Sequence, residues 1–310
     1  MKSREDAASG LTSLFCAAPP SRFPCMKAQM MTLVKDSPGL IQGGWIPDFP
    51  DERDLTLHNC VRSLRKAVGK MQLLDSTSDL RDFFPPVEDQ GATMATTAYS
   101  CGSLVEYFNR RCRGKLLPVS KTFLYDASRR MHNVHGDCGV SIRQVLRTLV
   151  RVGVPPQLCS HPQTALRGDL SYDPLLYAFA RDYVGIRYYR IEPYRKQNQL
   201  QVVKSLLSIG VPCVFGMPLC SAILTDPRID YRNCANEVIG GVTGVMVGYD
   251  DDFRISSRGA LLFRSTWGVD WGDSGYGWIS YRMLEAGLVQ DLWTIFAPNW
   301  SGNGNFSFVS

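Results

Sequence analysis

Apolar positions recur with a helical period in the first half of this chain and fall into short runs in the second. From about Thr96 to Arg111, Leu104, Val105, Tyr107 and Phe108 make a broad apolar face, and Gly114 lies just beyond. That spacing predicts a helix with a glycine stop. Ser141 can cap a second helix, in which Ile142, Val145, Leu146, Leu149 and Val150 follow the i, i+3, i+4, i+7, i+8 pattern. Arg143, Arg147 and Arg151 fall on its opposite face, and Gly153 ends it. A third helix is expected over Gln199–Ser208, with Leu200, Val203, Leu206 and Leu207 inward and Gly210 as terminator. The texture then changes. Val211–Met217, Val242–Tyr249, Ala260–Arg264 and Tyr276–Tyr281 are apolar or aromatic runs bounded by Gly, Asp and Pro, as strands are. Segregated helices and strands imply an α+β fold of two lobes, with the cleft between them as the default site.

The flanks are less regular. Residues 1–42 show no sustained periodicity and are expected to form a loosely ordered extension. Gly43–Asp54 is dense in proline and acid, which predicts an extended lead-in pinned to a surface by Trp45, Ile46 and Phe49. The expected divisions are therefore 1–42 extension, 43–80 extended lead-in, 81–180 helical lobe, 181–297 β-rich lobe and 298–310 tail.

Charge and cysteine content narrow the function classes. Against 29 acidic residues stand 34 basic ones, and arginines occur in short clusters such as Arg110–Arg111 and Arg129–Arg130. So mild a balance without a basic stripe argues against a nucleic-acid surface. No stretch reaches the ~20 apolar residues of a membrane helix, and the N-terminal region lacks a clean secretory core. Ten cysteines with no CxxC pair read as thiols in a reducing compartment, hence an intracellular setting. Two glycosylation triplets, at Asn299 and Asn305, lie in the tail.

Longer motifs carry more. PPVEDQG (Pro85–Gly91), followed by a helix start six residues after Gln90, resembles the nucleophile region of papain-like cysteine peptidases. GWIPDFPDERD (Gly44–Asp54) is similar to the lead-in of that family's bacterial-type branch. SKTFLYDASRR (Ser120–Arg130) and GVSIRQVLRTLVRVGV (Gly139–Val154) resemble its left-lobe helices. EVIGGVTGVMVGYDDD (Glu237–Asp252) resembles the strand that bears its catalytic histidine. LLFRSTWGVDWGDSGYGWISY (Leu261–Tyr281) resembles its asparagine–tryptophan strand and the following hairpin.

In such an enzyme a helix-terminal cysteine becomes a thiolate, a histidine shuttles the proton and an asparagine orients the histidine. A glutamine side chain and a backbone N–H form the oxyanion hole. The resemblance places Gln90 at the oxyanion position, Thr96 at the cysteine, Val242 at the histidine and Ser265 at the asparagine. All three reacting groups are replaced. A threonine hydroxyl needs a base more than a thiol does, and valine has no proton to move. Shifting register does not help: Gly91–Tyr99 contains no cysteine and Glu237–Tyr249 no histidine. Cys101 lies five residues along the helix from Thr96, about 140° around and about 7.5 Å up.

Other constellations are weaker. His132, His135 and Cys138 have metal-like spacing, with Cys159 and His161 beyond the next helix, some 15–18 Å away. A polar loop is the expected reading, with no metal and no cofactor. The disulfide cysteine that the resemblance implies at Cys138 faces Thr93, so that bridge cannot form. The expectation is a non-catalytic papain-like protein that binds a protein or peptide in its former cleft, lined by Met94, Gly139, Trp267 and Trp271. Val242, Met94 and Ala95 would make the floor apolar and crowded, suited to a partner peptide or to the chain's own 1–42. Two alternatives stand beside it. One is a structural subunit with a plugged cleft; the other is re-purposed chemistry using Thr96, Ser265 or Gln90.

Overall fold

Side-chain caps define the starts of three helices, at Ser120, Ser141 and Asn198. The computed structural model describes residues 43–60, 64, 65, 68, 74–159, 174–181, 186–193, 197–234 and 238–297. The 1–42 extension, His161 and both tail triplets lie outside them. Helix α1 covers Thr96–Arg113 and ends at Gly114, whose φ of 66° is the left-handed conformation glycine tolerates. Helices α2 (Lys121–Met131), α3 (Ile142–Arg151) and α4 (Pro174–Ala180) follow. Ser141 and Gln144 cap α3 reciprocally: Gln144 N–H donates to the Ser141 hydroxyl at 3.3 Å and Ser141 N–H to Gln144 Oε1 at 2.9 Å. Asn198 and Gln201 do the same for α5 (Gln199–Ser208), at 2.9 and 3.0 Å.

The strands are β1 (Thr77–Asp79), β2 (Arg187–Arg190), β3 (Cys213–Cys220), β4 (Arg228–Ile229), β5 (Val238–Arg254), β6 (Arg258–Arg264), β7 (Tyr276–Ser280) and β8 (Gln290–Phe296). Short helices α6 (Tyr231–Cys234) and α7 (Tyr281–Glu285) precede β5 and follow β7. One sheet runs β2-β8-β3-β5-β6-β7-β4, with β1 paired to the far half of β5. The long β5 strand is buried at every position from Gly240 to Tyr249, and α1 packs against it.

The α+β expectation holds: the helices cluster early and most strands late. Four strands were not anticipated. β1 and β4 are too short to show a period, and β2 is two tyrosines between two arginines, with no alternation. β8 opens Gln-Asp before its apolar run, and buried Asp291 sits at a left-handed φ of 47°. In α5 it is Val202, not Leu200, that is fully buried, Leu200 being half-buried. Arg143, expected on a solvated face, points instead into an ion cluster described below.

Candidate functional site

The turn that leads into α1 is fastened before any chemistry is considered. Arg264, almost fully buried, donates to the carbonyls of Pro85 (2.6 Å) and Pro86 (2.7 Å) and to the Tyr276 hydroxyl (3.2 Å). Gln90 N–H bonds Thr266 O at 2.9 Å, and Gln90 Nε2 bonds Thr93 O at 2.6 Å. Where the family resemblance implies a disulfide at Thr93 and Cys138, a carboxylate takes over: Asp137 accepts the Met94 N–H at 3.0 and 3.1 Å and the Tyr125 hydroxyl. Cys138 is exposed, with its thiol on His135 O at 3.2 Å.

Thr96 begins α1 and is fully buried. Its hydroxyl lies 3.1 Å from Thr243 Oγ1, 3.1 Å from Thr266 Oγ1 and 3.2 Å from Thr243 O, and it accepts the Thr243 N–H at 3.3 Å. Ser100 Oγ adds a 2.9 Å contact to Thr243 Oγ1, and Thr266 donates to Gln90 Oε1. The partners of Thr96 are therefore the residues that follow Val242 and Ser265. Successive strand residues face opposite ways, so Thr243 meets Thr96 while Val242, its neighbour on β5, does not share that face. Ser265 Oγ takes the Trp267 N–H at 3.4 Å.

Nothing in this hydroxyl cluster can act as a base near neutrality, and a hydroxyl nucleophile requires one. Burial pushes the Cys101 thiol well above its ordinary value, away from thiolate formation. His132 lies on Gln144 O at 3.2 Å, and its pKa is lowered by burial. Among the described residues no cluster of three or more His, Cys, Asp or Glu side chains could hold a metal ion.

The cleft itself is occupied. Trp45 N–H donates to Gly241 O at 3.0 Å, Val140 N–H to Gly44 O at 3.1 Å, and Gln90 Nε2 to Gly43 O at 3.4 Å. Residues 43–45 thus lie between Met94, Gly139 and Val140 on one side and Gly241 on the other. Only glycine permits this closeness. A Cβ on Gly43 would stand 1.9 Å from Gly241 O, one on Gly44 2.0 Å from Met94 O, and one on Gly139 2.1 Å from Gly44 O. The buried Trp45 indole lies against Gly216 of β3. The expectation of a lead-in merely pinned to the surface is corrected accordingly. Trp45 is its buried anchor, whereas Phe49 is 74% exposed and Ile46 38%. Met94, Gly139, Trp267 and Trp271, expected to line the cleft, are all buried.

Behind this strap, charge ties it to both halves of the molecule. Asp48 N–H donates to Asp291 Oδ2 at 2.7 Å, and Arg143 N–H donates to Asp48 Oδ2 at 3.1 Å. The Arg143 guanidinium grips Asp54 at 2.6 and 2.9 Å, and Arg190 reaches Asp54 at 3.3 Å and Asp291 at 3.5 Å. Burial raises the Asp48 pKa, against the lowering pull of Ser141 and Arg143. On the opposite wall Trp267 and Trp271 meet edge to face at 4.8 Å, and Trp271 Nε1 donates to Ile223 O at 3.0 Å. The sequence reading missed Thr243, Thr266 and Ser100; a hydroxyl one residue past Val242 and Ser265, and one helical turn past Thr96, was the available signal.

No family model matches the chain. It is 26% identical over 211 residues to cysteine protease 1 of Oryza sativa subsp. japonica, a match covering 66% of this chain and 41% of that protein. Among solved structures it resembles xylellain, a cysteine protease from Xylella fastidiosa, with TM-score 0.69 and 24% identity over 82% of this chain and 96% of that one. Procathepsin B S9 from Trypanosoma congolense superposes with TM-score 0.58 and 17% identity, covering 82% and 85% of the two chains. Digestive procathepsin L 3 of Tenebrio molitor gives TM-score 0.56 and 17% identity over 87% and 78%. These likenesses show the fold: the chain has the α+β fold of papain-like cysteine proteases.

Proposed function

We propose that this chain is a non-proteolytic papain-like protein that serves as a binding or scaffold subunit, its cleft filled by its own residues 43–45. The observation that carries this reading is the setting of Thr96: a buried hydroxyl ringed by Thr243, Thr266 and Ser100, with no base beside it among the described residues. The strap supports the structural-subunit alternative over a groove held open for a partner peptide, and it leaves the outer surface for protein contacts. Re-purposed chemistry is disfavoured on the same ground, because Gln90 and Thr96 already spend their polar atoms on the chain itself. No described helix is long and apolar enough to cross a membrane. An intracellular setting fits Cys101, Cys138, Cys159, Cys213, Cys220 and Cys234, whose thiols are free.

The test is incubation of the purified chain with broad peptide libraries at several pH values, beside a Thr96→Val control. The expected outcome is no cleavage above that control and no labelling of position 96 by epoxide or vinyl-sulfone warheads. Cleavage that Thr96→Val abolishes would overturn the proposal. If the groove served a partner peptide instead, Val242→Asp would weaken that partner's binding more than tenfold; under the proposal, binding to the outer surface is unchanged.

A further inference from the structure

After β3 the chain makes an excursion, residues 221–234, that buttresses the Trp271 wall. Trp271 Nε1 donates to Ile223 O at 3.0 Å, and Trp278 N–H to Pro227 O at 2.7 Å. Asp230 accepts the Ser280 hydroxyl at 2.6 Å and also the Ser256 hydroxyl. Cysteines stand at both edges of this excursion: Cys220 ends β3 and Cys234 ends α6. Both are buried and free. Cys220 Sγ lies 3.6 Å from Cys234 O and 3.8 Å from Pro218 O, so the Cys220 thiol rests against the backbone of Cys234.

We propose that Cys220 and Cys234 are a modification site, an oxidisable pair that closes residues 221–233 into a disulfide loop when the surroundings turn oxidising. A disulfide needs its two β-carbons close and its sulfurs adjacent, and a thiol 3.6 Å from the other cysteine's own carbonyl brings the pair within reach of that geometry. The oxidant is a small-molecule disulfide of the glutathione class. One cysteine, as thiolate, attacks a sulfur of that disulfide and expels a thiolate. The second cysteine then displaces the mixed disulfide. The pair gives up two electrons and two protons, and the small disulfide leaves as two thiols. Burial and the neighbouring Cys234 thiol push Cys220 well above its ordinary pKa, so exchange waits on opening of the loop or on folding itself. The same burial then shields the finished bond from reductant. Its structural effect is to lock the excursion that carries Ile223 and Pro227 against the Trp271–Trp278 hairpin. This inference is independent of the proposed function: it asks nothing of Thr96 or the strap.

The experiment refolds the full chain from denaturant in a buffer of oxidised and reduced glutathione, quenches with acid, alkylates and maps peptides by mass. The expected result is a Cys220–Cys234 cross-linked peptide pair, two hydrogens lighter than the free peptides. In Cys220→Ser that pair vanishes and Cys234 is alkylated. The oxidised wild type should melt several degrees lower after dithiothreitol, while Cys220→Ser should not respond. Recovery of both cysteines fully alkylated from the refolded wild type would overturn the proposal, as would dominant cross-links from either one to other cysteines. The wild-type map decides this even if the variant folds poorly.

Discussion

Two buried polar clusters flank the turn before α1, and they differ in what they ask of their surroundings. Around Thr96 the groups are neutral hydroxyls that satisfy one another and Gln90. Around Arg264 a full charge is buried on the Pro85 and Pro86 carbonyls and the Tyr276 hydroxyl. A neutral network loses one weak bond when a member is removed, because each hydroxyl has another partner. A charged hub leaves several carbonyls stranded at once. The cluster around Thr96 behaves as interchangeable packing, whereas the one that shapes the turn is demanding.

Removal of each hub tests this contrast most directly. Arg264→Met should cost about 3–5 kcal/mol in denaturant unfolding, since buried carbonyls lose a charged donor. A loss no larger than that of Thr96→Val would erase the distinction between the clusters. Next is the strap. Gly139→Ala places a Cβ 2.1 Å from Gly44 O at a φ of 74°, so a loss of about 2–4 kcal/mol is expected. Gly91→Ala, at a φ of 62° but with nothing within 4 Å, should cost only about 1 kcal/mol. Equal losses at the two glycines would mean that backbone conformation alone matters and the strap is not tightly seated.

Thr96→Val itself should cost about 1 kcal/mol, because Thr243 keeps Ser100 and Thr266 keeps Gln90. Double-mutant cycles with Thr243→Val measure the remaining coupling. The smallest effect concerns pH. The Asp48 pKa is raised in the folded state, so the native chain holds more protons than the unfolded one from the ordinary 3.8 up to the raised value. Stability contributed by the protonated carboxyl is thus present below that window and falls as pH rises through it. Asp48→Asn should flatten this limb in denaturant midpoints collected across the acidic range. A limb left unaltered would assign the titration to another group.

The sequence by itself determined the helical first half, the cap at Ser141, and the β3, β5, β6 and β7 strands. These rest on local spacing and on side chains that bond their own turn. It also determined that no cysteine, histidine or asparagine stands at the three positions where the resemblance expects them. Which side chains meet Thr96 was beyond it, because strand alternation and packing against α1 bring Thr243 and Thr266 there from 147 and 170 residues away. Arg143 illustrates the same limit. Helical period put it on the outer face of α3, but Asp48 and Asp54 arrive from the lead-in and turn that face into an ion cluster. Only the tertiary structure decided that the cleft is filled. The glycines at 43, 44, 139 and 241 read locally as turn residues, and their joint purpose, backbone passing backbone at contact distance, exists only once segments some 95 and 200 residues apart are brought together.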